Sequence, residues 1–438
     1  MRQQHVKTSR ILFWCLLLLL LSLIFIRYVF QIAFPREVLL LIAVLIAVLG
    51  DGDAIIALCI CCIPLYTSMQ YTFTVGICLI AYFLKYWRSI RINLSILPIF
   101  LLVAWELLHC FSGGFSPEPF VGSFVPFALA AVLMCSGDRQ FDYGFIVRAF
   151  AAATSAMCIV LLGKLLAASG YNVLLAVANL RRLGLNQRTM SVTGAELNPN
   201  TLGVLCVLCI TGLLQLRISK EAKKSDIFIV LLLLVFGALS SSRTYLVCLA
   251  IMALLLLFSQ QGGPSKKIRY LLSIAAFSLV ALLVMQLFFP DVLRFYISRF
   301  QSDDITTGRD TLFITYMRFI LSNPTVAFFG IGLYQFDSKI TSVYNVASHV
   351  PHNGIQELWI AWGLPGLILF ALFLTTMVWR SRRIAKEQGL LNFIPLLVLL
   401  AKSQAGQMLN SPYTMLAFSF TYLSLAHPFR LQQKKDKS

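Results

Sequence analysis

Apolar residues in this chain come in long blocks separated by short polar breaks, and those blocks set the architecture. A helix needs about 20 mostly apolar residues to cross the hydrocarbon core of a bilayer. Blocks that reach or approach that length fall at residues 11 to 30, 37 to 49, 54 to 66, 71 to 86, 95 to 112, 121 to 136, 145 to 169, 201 to 216, 226 to 241, 244 to 258, 270 to 289, 355 to 378, 390 to 408 and 413 to 426. They predict an all-α polytopic membrane protein with roughly 12 to 14 transmembrane helices, organised as one integral-membrane domain over residues 1–438. The second and third blocks are short, and either cross separately or form a re-entrant pair around Gly50-Asp51-Gly52-Asp53. The first block follows Arg2, Lys7 and Arg10 but has no small-residue cleavage site after it, so it reads as a retained span and not a removed leader.

Two segments break the rhythm of short connections. One is an external loop at residues 170–200, basic and polar, in which Asn198-Pro199-Asn200 leads into the next span. The other is a long, partly helical external loop at 290–353. Within it, "DVLRFYISRF" spaces Val292, Phe295, Tyr296 and Phe300 on one face, as a helix lying at a membrane surface would. A second helix is predicted in "TGRDTLFITYMRFILSNP", with Thr307 as its cap and Pro324 beyond its end. A glycine-punctuated turn, "FFGIGLYQF", and then "SHVPHNGIQELWIAWG" complete the loop and open the next span. Neither loop is long enough to fold around a core of its own.

Composition agrees with this picture, since 59% of the 438 residues are hydrophobic and 12% charged, outside the usual range for a soluble domain. The formal net charge of +18 then acts as an orientation signal, because loops rich in Lys and Arg stay in the cytoplasm. With both termini inside, the cytoplasmic segments hold 22 basic residues and the external ones nine. This arrangement predicts a multi-pass protein of a cytoplasmic membrane with its long loops outside. It assigns most of the charge to topology and to anionic lipids, with no nucleic acid as partner. All eleven cysteines fall within predicted spans, as small buried hydrophobes would, and suggest neither disulfides nor a metal finger.

Ionisable groups inside spans narrow the chemistry, because a charge in the middle of a membrane helix costs about 2.5 to 3.5 kcal/mol even on lenient insertion scales. Arg27, Glu106, Lys164, Arg243 and Lys402 all lie in the outer halves of their predicted spans. Some of them snorkel to external headgroups or pair together, for example Glu106 with a lysine. Arg243, in "LSSSRTYL" between two spans, is less easily explained that way. Together these groups predict a polar, net positive pocket open to the outside. A lipid-linked diphosphate is the simplest ligand for it, with Arg243 and Arg309 clamping the phosphates and Arg181, Arg182 or Arg188 in support.

In "SHVPHNGIQ", Pro351 suits the first turn of a helix and puts His352 at its positive end. There the helix dipole favours a neutral imidazole, able to act as a general base. The plainer alternative is that His352 caps or hydrogen-bonds a loop carbonyl. His349 and His352 make a poor metal pair without further external ligands. Glu357, more than a helical turn beyond His352, either orients it or satisfies a buried polar network, and Asn353 stands between them as a further supporting residue.

"SHVPHNGIQELWIAWGLPGLILF" resembles the His-Asn motif and following Gly-x-x-Gly helix of the O-antigen polymerase and O-antigen ligase superfamily. "TGRDTLFITYMRFILSNPTVAFFGIGLYQF" resembles the Gly-Arg, helix, Pro, Gly-x-Gly stretch before it, "SSSRTYL" the superfamily's Ser-Arg step, and "NPN" its earlier external loop. The resemblance is detailed over about residues 190–380 and implies a bacterial inner-membrane glycosyltransferase with its active site on the periplasmic or external face. It implies an undecaprenyl-diphosphate-linked oligosaccharide as donor, a sugar hydroxyl as acceptor, inversion at the anomeric carbon, and no metal or other cofactor. In those terms His352 is the catalytic base and Arg243 and Arg309 hold the diphosphate. A polymerase of lipid-linked repeat units, partnered by a chain-length regulator protein, is favoured over a ligase to lipid A core. A lipid-sugar flippase or other transporter is the remaining alternative. Against it, no internal repeat is seen, and the polar groups gather at one face instead of the midplane.

Overall fold

The computed structural model describes residues 2–65, 69–113, 117–137, 139–180, 183, 197–259, 265, 267–269, 272, 279, 282–283, 285–301, 308–333, 344, 346, 351–386, 388–406, 408 and 412–429. Every regular element among them is a helix. The first half contains α1 (Arg2–Val29), α2 (Glu37–Leu49), α3 (Gly52–Leu65), α4 (Tyr71–Tyr86), α5 (Leu97–Gly113), α6 (Pro117–Cys135), α7 (Tyr143–Ala168) and α8 (Val173–Asn179). The second half contains α9 (Pro199–Ile218), α10 (Lys224–Leu239), α11 (Arg243–Ser259), α12 (Pro290–Gln301), α13 (Arg309–Ser322), α14 (Pro324–Phe329), α15 (Gly354–Ile384), α16 (Leu390–Ser403) and α17 (Pro412–Ala426).

The chain is an all-helical, polytopic membrane protein. Five helices are long and apolar enough to cross a bilayer by length and composition: Thr8–Val29, Leu94–Phe111, Tyr143–Ala168, Pro199–Ile218 and Gly354–Ile384. Shorter apolar helices fill Glu37–Leu49, Gly52–Leu65, Phe120–Cys135, Arg243–Ser259, Leu390–Ser403 and Tyr413–Ala426. The full-length set is therefore smaller than the apolar blocks alone predict. The blocks at 37–49 and 54–66 form two short helices that join at Gly50 and Asp51. The expected span at 270–289 lies largely outside the described residues.

Helix α3 sits at the centre, every one of its residues except Asp53 buried, with α4, α7 and α17 packed around it. That is why its cysteines carry no chemistry: Cys59, Cys61 and Cys62 are buried free thiols, as are the other cysteines except the exposed Cys15. Helix α9 packs on α7, α10 and α11, and α16 bridges α9, α11 and α17. Helix α12 forms where its spacing predicts a helix, with Val292 buried.

At one end of this bundle the charges are paired. Arg10 bonds Asp142 at 2.7 Å and approaches Asp53 at 3.6 Å, and Arg139 reaches Asp53 at 3.7 Å. The Arg148 guanidinium donates to both Asp226 oxygens at 2.9 to 3.2 Å. Lys85 caps the carbonyls of Ala47, Val48 and Gly50 at the end of α2, and Arg380 those of Met134 and Gly137 after α6. Helices α9, α11, α15 and α17 begin at the opposite end, where α16 finishes. That opposite end carries the candidate chemistry.

Candidate functional site

The site is assembled at helix starts. Helix α9 begins with Asn198 as its cap, the side-chain oxygen accepting from the Asn200 N–H at 2.8 Å, and with Pro199 in the first turn. A first-turn proline loses nothing there, because that N–H has no helical partner. The Ser242 hydroxyl donates to Asn200 Oδ1 at 2.8 Å and accepts from the Tyr245 N–H at 3.2 Å, capping α11. The bend before it needs Ser241 in the left-handed region, at φ 48°. Gly203 lets α9 close on this turn, since a Cβ there would press on Tyr245 and Ser240. The serines of "LSSSRTYL" thus form the turn that presents Arg243 as the first residue of α11.

Arg309 is the first residue of α13. The cap position is Gly308, at φ 75° with no side-chain cap, and not the expected Thr307, which lies outside the described residues. Pro324 does stand beyond the end of α13, where it opens α14. Arg309 and Arg243, 66 positions apart in sequence, come close enough to repel. Burial and the neighbouring Arg243 charge both push the Arg309 guanidinium below the usual arginine range. Two guanidiniums held together form a site for an anion with several oxygens, because each fork donates two parallel hydrogen bonds.

His352, half-buried, stands one residue outside α15. The helix starts at Gly354 with Asn353 as cap, so Pro351 precedes the helix and is not in its first turn as expected from sequence. Asn353 Oδ1 accepts from the Ile355 and Gln356 N–H groups at 3.0 and 3.2 Å, while its amide donates to the Gln404 carbonyl and side-chain oxygen. Gly354 lets this turn lie close against Ser403 and Met408, which a Cβ there would meet at 3.0 Å. Glu357 is fully buried; its carboxylate accepts the Met408 N–H and lies within charge range of Lys402. Lys402, also buried, donates to Thr414 Oγ1 at 2.6 Å and sits over the Tyr413 ring. Of the two uses expected for Glu357, these partners fit the buried polar network. They also correct the placing of Lys402 among open pocket cations, because its ammonium is spent on holding α15, α16 and α17 together.

Glu106 is corrected too. In place of the expected lysine, its carboxylate accepts from the Leu333 N–H at 2.9 Å and the Trp362 indole at 2.7 Å. The reason lies in α15, which breaks at Gly363 (φ 64°) just before Pro365. That break leaves the Ile360 and Ala361 carbonyls without helical donors, and the backbone of Ile331 and Gly332 supplies them at 3.0 and 2.8 Å. Gly330 and Gly363 permit the close approach, since a Cβ on either would strike the opposing backbone. The "GIG" turn is therefore a plug for a broken helix. Arg27 donates to the Phe34 carbonyl, and Lys164 lies over the Tyr28 ring.

Residues 228–371 match the family model described as O-antigen ligase, Wzy_C. This segment is thus similar to the O-antigen ligase family. The O-antigen ligase match covers about a third of the chain, from α10 to the middle of α15, and contains Arg243, Arg309, His352, Asn353 and Glu357. A comparison with curated proteins gave no match. Arg181, Arg182 and Arg188 fall outside both the matched segment and the described residues, as does His349 from the described set. Among the described residues no group of three or more His, Cys, Asp and Glu side chains is placed to hold a metal ion.

Sequence reading missed Gln356. Asn353-Gly-Ile-Gln356 has the spacing of a capping box, in which the Gln side chain folds back on the cap residue. Here the Gln356 amide instead donates to the Phe313 carbonyl of α13 at 2.8 Å, although the residue is almost completely buried.

Proposed function

We propose that this protein is a membrane glycosyltransferase that moves a glycan from an undecaprenyl-diphosphate-linked donor to a sugar hydroxyl. What supports the reading is that the Arg243 charge bears on Arg309 and that Arg243, Arg309 and His352 all stand at helix starts inside the segment similar to O-antigen ligase. Arg243 and Arg309 hold the donor diphosphate and take up the charge that grows on it as it leaves. His352 accepts the proton of the acceptor hydroxyl. The oxygen then forms its bond to the anomeric carbon from the face opposite the diphosphate, the carbon–oxygen bond to the diphosphate breaks, and the configuration inverts. A diphosphate is a good leaving group and needs no acid, so one base suffices. Arg181, Arg182 and Arg188 support the anion from the 170–200 loop, and Asn353 and Glu357 fix the helix start beside the base. The site faces the periplasmic or external side, with both termini in the cytoplasm.

Polymerisation of lipid-linked repeat units is the reading preferred for the acceptor. Transfer to lipid A core or another terminal acceptor is the second, favoured by the description of the matched family as a ligase. Purified protein given lipid-linked oligosaccharide alone, and then with lipid A core, separates them by product length on a gel. A ladder without core supports the polymerase, and a product that requires core supports the ligase. Oligosaccharide of unchanged length in both reactions overturns the glycosyltransferase reading. Passage of that unchanged oligosaccharide across liposomes then indicates a transporter.

A further inference from the structure

We propose that Gln356 is a positioning residue: by tying α13 to the first turn of α15, its side-chain amide holds Arg309 beside Arg243 before donor arrives. The proposal rests on the reading of the two arginines as the diphosphate site. It starts from a polar side chain where an apolar one is expected. Gln356 is 1% exposed, and a buried amide is costly unless its hydrogen bonds are made. Its Nε2 makes one, at 2.8 Å, to the main-chain carbonyl of Phe313, while its Oε1 is buried with no partner. A side chain kept in the core with half its amide unsatisfied is retained for the other half.

The position of that bond gives its purpose. Phe313 lies four residues after Arg309 in α13, and Gln356 four residues after His352, so the tie sits about one helical turn (~5.4 Å) from each of the two groups. Both partners are rigid. The Phe313 carbonyl belongs to a continuous helix, and the Gln356 backbone N–H is itself held by the Asn353 cap. Since the acceptor is main chain, the tie does not depend on the Phe313 side chain, which is exposed. Helix α15 is in turn fixed to α16 through Asn353 and Glu357, and α16 packs on α11, whose first residue is Arg243. Like charges on Arg243 and Arg309 push the start of α13 away from α11. The Gln356 tie opposes that push, so the anion site is formed in advance and binding does not have to assemble it.

Pulsed electron spin resonance tests this in the full chain. Spin labels go on Ile314→Cys in α13 and Leu372→Cys in α15, both exposed positions, with Cys15→Ser removing the exposed native thiol. In Gln356→Leu without donor, the distance distribution is expected to broaden and shift, and to return towards the parent with inorganic pyrophosphate. With lipid-linked donor, loss of one such bond is expected to raise the donor KM up to about tenfold, with kcat at saturating donor little changed. Simple loss of packing does not give that split or a pyrophosphate response. Gln356→Asn, which keeps the amide but falls one methylene short, is the second variant should Gln356→Leu fail to fold. Unchanged distances in the variants, or a fall in kcat with KM unaltered, overturn the proposal. Distances that shift but ignore pyrophosphate, with Arg309→Ala binding donor normally, support the tie and defeat the diphosphate reading.

Discussion

The two ends of the bundle spend charge in opposite ways. At the Arg148 end, guanidiniums and carboxylates meet in pairs: Arg10 with Asp142 and Asp53, Arg139 with Asp53, Arg148 with Asp226. Lys85 and Arg380 there cap helix carbonyls. At the other end the Arg243 charge bears on Arg309, while Glu106 accepts from backbone and indole N–H groups and Glu357 accepts from the Met408 N–H within charge range of Lys402. Paired ions hold helices together. A like-charged pair is costly in an empty site and gains from an anion, so the contrast separates structural charge from charge kept for a ligand.

Substitutions sharpen this contrast. The largest effect is expected from His352→Ala, with product formation falling about a hundred- to ten-thousandfold, the usual contribution of a general base, while donor binding survives. Near-normal turnover would remove His352 from the mechanism. Next comes Asp226→Ala at the paired end. It leaves Arg148 partly buried beside an empty position and is expected to lower stability by about 3 to 5 kcal/mol, read as a fall in melting temperature. Turnover per folded molecule should not change, and a specific loss of donor affinity would erase the distinction between the ends.

Arg243→Ala and Arg309→Ala should each weaken donor binding by about 1.5 to 3 kcal/mol, the worth of a charged hydrogen bond, measured by titration with lipid-linked donor. Their melting temperatures should hold or rise, since either change removes a like-charge contact. A fall comparable to that of Asp226→Ala would mark the arginines as structural. The smallest effect is that of salt. Added salt should weaken donor binding modestly while leaving the melting temperature almost unchanged, because exposed charges are screened far more than buried pairs.

The candidate site was legible in parts. Arg243 stood out because "LSSSRTYL" sets an arginine among serines between two spans, Arg309 through the resemblance of "TGRD" to a family motif, and His352 because it lies beside a helix start. Less readable were the side chains whose partners are far away. Glu106 was taken for one of the cations' counter-charges, yet it answers a break in α15 more than 200 residues later, caused by Gly363 and Pro365. Gln356 had the spacing of an ordinary capping box, and only the neighbouring α13 turned it into a tie. Lys402 looked like a pocket cation until Glu357 and Thr414 were placed around it.

By itself, the sequence determined that the chain is helical and membrane-embedded, because uninterrupted apolar blocks leave the backbone no polar partner except its own helix. Helix starts were legible only in part: Asn198-Pro199-Asn200 does open α9, whereas α13 is capped at Gly308 and not Thr307, and Pro351 lies before α15. Tertiary structure alone decided which charges meet one another. Pairing depends on distances between helices, and those are set by packing across the whole bundle, where Arg148 finds Asp226 and Arg309 finds Arg243.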